Sequence, residues 1–213
     1  MKLKILNQNK NIHQKNFERR SEIKYDITNF SEEFFINKFK LKEIYSKREI
    51  TSIYFDTNNF DFYHLSQEGI LPRKKVRIRY YIKGKYNLEI KFQDYNSKIK
   101  RIIKLIDIKN INNYLLENGI RESLRPIITV NFKRRYFLSY AGRITIDKDI
   151  NYSHCDHNSM LDKRGTIISN QKILEIKNDN IDDKIPYSFR DTELKEQRNS
   201  KYCNGVNLLY RVY

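Results

Sequence analysis

Residues 74–92 read KKVRIRYYIKGKYNLEIKF, from Lys74 to Phe92. Before Gly84, Val76, Ile78 and Tyr80 alternate with Arg77 and Arg79; after it, Leu88 and Ile90 alternate with Glu89 and Lys91. An apolar residue at every second position puts one strand face on a core and the charged residues on the other. Lys83-Gly84-Lys85 supplies the turn, so the segment predicts a β-hairpin whose second face is charged. The same period recurs in RSEIKYDI (20–27), ITSIYFDT (50–57), KIKRIIKL (98–105), PIITVNFKRRYF (126–137), GRITIDKDI (142–150) and KILEIK (172–177). Eight antiparallel strands are therefore expected, several of them hairpin neighbours, with Ala141-Gly142 marking another turn.

Helical spacing is weaker. Ser31 is an N-cap for EEFFINKF, Asp107 opens IKNINNYLLENG with Gly119 closing it, and FRDTELKEQR (189–198) has the charge density of an exposed helix. Residues 1–18 are polar and aperiodic and read as an N-terminal tail, docked loosely if at all, before a single domain over 19–213.

The chain has 213 residues and a net charge of +16, from 42 Lys and Arg against 26 Asp and Glu. Its natural partner is an anion: nucleic acid, an anionic membrane surface or a phosphate-rich small molecule. Cys155 and Cys203 stand far apart and outside any CxxC pair, which fits a reducing cytoplasm rather than a disulfide framework. No apolar run approaches the roughly 18 residues of a membrane span.

The charged faces carry the chemistry. Arg77 and Arg79 share a face, as do Glu89 and Lys91, Lys98, Lys100 and Lys104, and Arg143, Thr145 and Asp147. Any one such face could be a solvated surface. Like charges opposite one another on neighbouring strands are destabilising, however, and their repetition makes sense where an anion occupies that face. A barrel with a charged interior provides that geometry. Leu-Glu-Ile-Lys occurs at 88–91 and again at 174–177. Within an anion tunnel such a carboxylate can ligate the Mg²⁺ or Mn²⁺ that accompanies polyphosphate, since these cations often take one or two carboxylates plus phosphate oxygens. No P-loop, GxGxxG or Ser/His/Asp set is present, so phosphate binding falls to side chains. His154-Cys155-Asp156-His157 reads as an ordinary loop, Cys203 as a small buried residue and Asp56 as a strand-end turn former.

The motif order resembles the VTC (vacuolar transporter chaperone) domain, the polyphosphate polymerase branch of the triphosphate tunnel metalloenzymes, over about residues 20–205. The motifs are Arg20-x-Glu22-x-Lys24, SIYFDT, Arg77-x-Arg79, Leu88-Glu89-Ile90-Lys91, Phe132-x-Arg134, Arg143-Ile144-Thr145-Ile146-Asp147, Leu174-Glu175-Ile176-Lys177 and Ser200-Lys201-Tyr202-Cys203-x-Gly205. The resemblance implies a mainly β, α+β fold, an eight-stranded antiparallel β-barrel tunnel with flanking helices. It also implies an enzyme that moves the γ-phosphate of ATP onto a growing inorganic polyphosphate chain with Mn²⁺ or Mg²⁺. It gives Arg77, Arg79, Lys91, Arg134 and Arg143 catalytic contacts with phosphate and makes Glu175 the metal ligand. Lys24, Lys100, Lys177, Lys201, Glu22 and Glu89 complete the substrate site. Hydrolase relatives carry Glu where Arg20 stands, which favours the polymerase over a two-carboxylate triphosphatase. Asn199 departs from the aromatic residue common before Ser-Lys, and Arg134-Arg135 leaves the register open by one residue, with Arg134 keeping the Phe-x-Arg spacing. Nothing corresponds to the membrane region or inositol-phosphate sensor of some relatives, so the resemblance implies neither translocation nor regulation, and membrane association through a partner protein stays open.

The alternatives are a metal-dependent triphosphatase and a non-catalytic polyanion-binding module. Against a specific nucleic-acid site, the basic residues interleave with Ile and Val on strands instead of forming an outer stripe.

Overall fold

The computed structural model describes residues 13–16, 21–82, 84–140, 142–155, 163–178, 194 and 196–211. Ten strands form one sheet: β1 (His13–Asn16), β2 (Ser21–Asp26), β3 (Lys42–Asp56), β4 (Arg73–Tyr80), β5 (Asn87–Gln93), β6 (Lys98–Lys104), β7 (Arg125–Ser139), β8 (Gly142–Cys155), β9 (Lys163–Ser169) and β10 (Ile173–Asn178). The order is β1-β6-β5-β4-β3-β7-β8-β10-β2, with β9 attached to β8 and every neighbour antiparallel. The eight expected strands are β2 to β8 and β10. The other two were not expected, and β1 lies within the stretch read as a tail.

Among the described residues the hydrogen-bonded path does not close, because β1 ends it on one side and β2 on the other. "Barrel" therefore describes the curl of the sheet, not a sealed ring. The walls still face each other: Glu22 on β2, at one end of the path, feels the charge of Lys91 on β5, near the other end.

The apolar faces point outward under helices. Helix α1 (Glu32–Lys38) starts at Ser31, whose Oγ accepts from the Phe34 N–H at 3.1 Å, and buries Phe35 against Tyr25, Phe137, Ile144 and Leu174. A 3₁₀ turn (Ile108–Asn110), capped by the Asp107 side chain, leads into α3 (Ile111–Glu117), which packs Ile111 and Leu115 on Val76, Ile78, Leu88 and Ile103. Helix α2 (Asp61–Glu68) precedes β4. Asp56, fully buried at the end of β3, accepts from the backbone N–H groups of Thr57, Phe62 and Tyr63 and from the Tyr202 hydroxyl. It is thus a turn former and anchor.

Helix α4 (Lys201–Tyr210) packs on β7 and β8, with Tyr202, Cys203 and Val206 beside Ile50, Ile128, Phe132 and Tyr152. A Cβ on Gly205 would stand 2.5 Å from Ile128 Cδ1 and 2.6 Å from Tyr152 Cδ1, so only glycine permits this approach. The helix expected over 189–198 is corrected where described: Glu196 bridges to Tyr25 and the Gln197 N–H donates to the Lys24 carbonyl, so the segment pairs with the free edge of β2. Residues 189–193 and 195, like Arg20, Asp156 and His157, lie outside the described residues.

Candidate functional site

Strand alternation directs charged side chains of β2, β4, β5, β6, β7, β8 and β10 into the curl of the sheet, where they form two carboxylate-centred clusters. In the first, Glu89 on β5 stands opposite Arg77 on β4. It accepts from Arg77 Nε at 2.8 Å and from Lys100 Nζ on β6 at 2.9 Å, and Arg79 lies 3.9 Å away. Arg77 also donates to the Tyr54 hydroxyl at 2.9 Å, and Arg79 to Ser52 Oγ at 3.3 Å. In the second, Arg134 on β7 grips Asp147 on β8 in a fork at 2.5 and 2.7 Å, with Lys201 of α4 on the same carboxylate at 2.5 Å. Glu175 on β10 lies 3.7 Å from Arg134 and 2.5 Å from Lys177. Glu22 on β2 links Lys24 at 2.9 Å and Lys177 at 3.6 Å.

Burial and neighbours set the charge states. Burial works against an ionised Glu89, but Arg77, Arg79 and Lys100 hold it well below the usual carboxylate range. Glu175 is likewise held far down, against its burial, by Lys177, Arg134 and Lys24. Asp147 is lowered by Arg134 and Lys201. The cations show the opposite stress. Burial and then Arg77 lower Arg79, and burial lowers Lys75, Lys100 and Lys201. Lys91 falls to about 7, first through the walls around it and then through Arg77. Lys91 keeps solvent access, and it stands between Lys75 and Lys100 in register. Lys24 alone among these lysines is raised, because Glu175 and Glu22 outweigh its burial. The cations outnumber the carboxylates, and several are held at a cost that an anion would relieve.

The expected site residues are thus largely brought together: Lys24, Arg77, Arg79, Lys91, Lys100, Arg134, Lys177, Lys201, Glu22, Glu89 and Glu175 share the channel. Of the two candidates in β7, Arg134 faces inward, whereas Arg135 pairs with Glu32 and Glu43 outside. Arg143 is exposed, opposite Lys177 at the end of β8, and Lys98 and Lys104 are exposed at the ends of β6. A surface depression of about 680 Å³ beside Glu43, Arg135 and Lys148 holds none of these groups. Sequence reasoning left out Asp147, the buried partner of Arg134, although it shares the Arg143 face. It also left out Lys75, whose Nζ donates to Ser200 Oγ at 2.9 Å, and Tyr54. Ser200 caps α4 by accepting from the Cys203 N–H, so the N-terminus of that helix enters the channel beside Lys75.

The site is a row of positioned Arg and Lys broken by ionised carboxylates. The VTC domain matches residues 3–210. The chain belongs to the VTC domain family. Its curled sheet is the triphosphate tunnel fold of that family. Among solved structures it is similar to the PH1819 protein of Pyrococcus horikoshii, at 16% identity over 90% of this chain and 98% of that one, with a TM-score of 0.52. It is also similar to a Hippeastrum protein described as having a dominant triphosphatase activity, at 12% identity over 75% of this chain and 80% of that one, with a TM-score of 0.40. No curated protein matches the sequence. Cys155 and Cys203 of this VTC domain are buried, and no helix among the described residues is long and apolar enough to cross a membrane.

Among the described residues no group of three or more His, Cys, Asp and Glu side chains could hold a metal by itself. The residues present suit a different arrangement. Glu175 is close enough to oppose the ionisation of Glu22, yet Lys24 and Lys177 keep Glu22 lowered, and Lys177, Arg134 and Lys24 keep Glu175 lowered. Two ionised oxygen donors beside a row of Lys and Arg are what a Mg²⁺ or Mn²⁺ carried on a polyanion accepts.

Proposed function

We propose that this domain transfers the γ-phosphate of ATP to the end of a growing inorganic polyphosphate chain. The observation that carries the reading is the charge state of the channel: fixed cations in excess, with every carboxylate among them held ionised and weakly basic. Phosphoryl transfer needs positioned positive charge on the transferred oxygens and in-line alignment, and little covalent help from the protein. Arg77, Arg79, Arg134 and Lys100 would hold the triphosphate, and Lys201 and Lys75 would hold phosphates at the α4 end. Lys24, Lys91, Lys177 and the exposed Arg143 would guide the polyphosphate. A carboxylate held far below its usual range makes a poor general base, but the terminal oxygen of polyphosphate is already an ionised nucleophile and needs none. Glu175, with Glu22 beside it, would hold Mn²⁺ or Mg²⁺, which supplies further charge neutralisation on the phosphates.

A metal-dependent triphosphatase is the second reading, and one observation favours it. With its pKa near 7, Lys91 is partly a neutral amine at neutral pH and could take a proton from an attacking water. Product analysis separates the two. Incubation with ATP and Mn²⁺ should yield polyphosphate resolvable on a gel; free phosphate in step with ADP, with no polymer, would replace the polymerase by the hydrolase. Neither product would leave a polyanion-binding module. If the product is moved across a bilayer, a membrane protein would be a further partner.

A further inference from the structure

Among the described residues, one guanidinium on the channel face is surrounded by aromatic rings where its neighbours Arg77 and Arg134 hold carboxylates. Arg48 on β3 stands opposite Arg134 on β7, yet its guanidinium carbon lies 5.1 Å from the ring centre of Tyr45, 5.4 Å from Tyr136 and 5.8 Å from Tyr81. A register shift between Tyr45 and Arg48 creates this cluster. Residues three apart on a regular strand point to opposite faces, whereas the bulge turns both toward Tyr136, whose ring meets that of Tyr45 edge-on at 5.8 Å. Tyr136 is two residues past Arg134 on β7, and Tyr81, just beyond the end of β4, reaches the same guanidinium, so the rings extend the face that carries Arg134. Tyr45 and Tyr81 are 53% and 43% exposed, which leaves aromatic area open to a ligand.

We propose that Arg48 and the rings of Tyr45, Tyr81 and Tyr136 seat the nucleobase of a nucleoside triphosphate whose phosphates lie in the channel; this rests on the channel taking a triphosphate. The ring faces carry negative potential and offer nothing to a further phosphate. A base is planar, has a π-face for tyrosine and guanidinium alike, and stacks without regard to its identity. ATP and GTP should therefore bind about equally, while inorganic tripolyphosphate reaches the same cations without using the rings.

Binding of ATP, GTP and tripolyphosphate, measured calorimetrically without divalent metal to prevent turnover, tests the seat. In a Tyr45→Ala/Tyr81→Ala double variant, ATP and GTP should weaken by about tenfold or more, the scale of losing a stacked base. Tripolyphosphate affinity should stay within about twofold, which also reports that the channel is folded, and Tyr45→Phe/Tyr81→Phe should restore nucleotide binding. Equal loss for all three ligands, or no loss for the nucleotides, would overturn the seat while leaving the channel. Failure of the unaltered protein to bind tripolyphosphate would instead overturn the channel reading and the seat with it.

Discussion

Arg77 and Arg79 look equivalent in sequence and differ in the structure. Arg77 is tied to Glu89 and Tyr54, whereas Arg79 is a buried cation depressed by its surroundings and by Arg77 itself. Arg79→Ala should therefore leave the melting temperature of the ligand-free protein unchanged or higher. Arg77→Ala should lower it by about 2 to 8 °C, since about 1–2 kcal/mol of charged hydrogen bonding is lost at about 2–4 °C per kcal/mol. Thermal melts check this, and equal destabilisation by both would contradict the pairing. Both variants should lose at least about tenfold in phosphoryl transfer. Glu175→Gln removes a charge from among Lys24, Lys177 and Arg134, so metal-dependent turnover should collapse while metal-free tripolyphosphate binding holds or tightens; intact turnover would reduce Glu175 to an ion-pair partner. The repeated Leu-Glu-Ile-Lys and the Phe-x-Arg spacing made these residues legible in the sequence. Asp147 was not, because in the mixed-charge stretch Asp147-Lys148-Asp149 it looks like any solvated residue until Arg134 and Lys201 are seen to enclose it.

Strands with strict alternation were readable because period two is set by backbone geometry alone. Helix α4 was not. Its sequence KYCNGVNLLY combines Gly, Asn, Val and two Tyr, weak helix formers whose helicity comes from packing on Ile128 and Tyr152. β1 and β9 lack a regular alternating face and are held by their partners β6 and β8. The close seat of Gly205 gives an element-scale prediction. Gly205→Ala forces the helix away from β7 and β8, which should cost about 1–3 kcal/mol by overpacking and lower the melting temperature by about 2 to 12 °C. Because Ser200 and Lys201 ride on the same helix, activity measured well below the melting transition should fall too. A variant that melts early but turns over normally would show that α4 does not help form the site.

For the whole molecule the ligand-free channel is under electrostatic stress, and pH exposes it. Lys91 is lowered to about 7 in the fold, against about 10.4 in an unfolded chain. Between those values the unfolded state binds more protons, so ligand-free stability should rise with pH from about 7 to about 10, and solvent access to Lys91 shrinks the slope without reversing it. Tripolyphosphate favours the charged amine and should flatten that slope. Its binding at pH 8 should take up protons, seen as an enthalpy that varies with the ionisation enthalpy of the buffer; no such variation would refute the depressed lysine. At about 100 times its dissociation constant it should add roughly 2.7 kcal/mol, or about 5 to 10 °C. Duplex DNA, about 20 Å wide, cannot enter a channel sized for side chains and one small ligand, and should stabilise less as salt rises.

The order of the strands also governs how the chain reaches this state. β2 pairs with β10, and Lys75, Lys91 and Lys100 become cross-strand neighbours on β4, β5 and β6. The β2–β10 pairing joins distant parts of the chain and is slow to form, whereas β4, β5 and β6 are consecutive hairpin strands whose early pairing brings those like charges together. An anion that bridges those lysines would be expected to lower the folding barrier as well as the native energy. Tripolyphosphate should then speed refolding from denaturant, not merely slow unfolding, so that the phosphate the channel binds also acts as a template for building the channel.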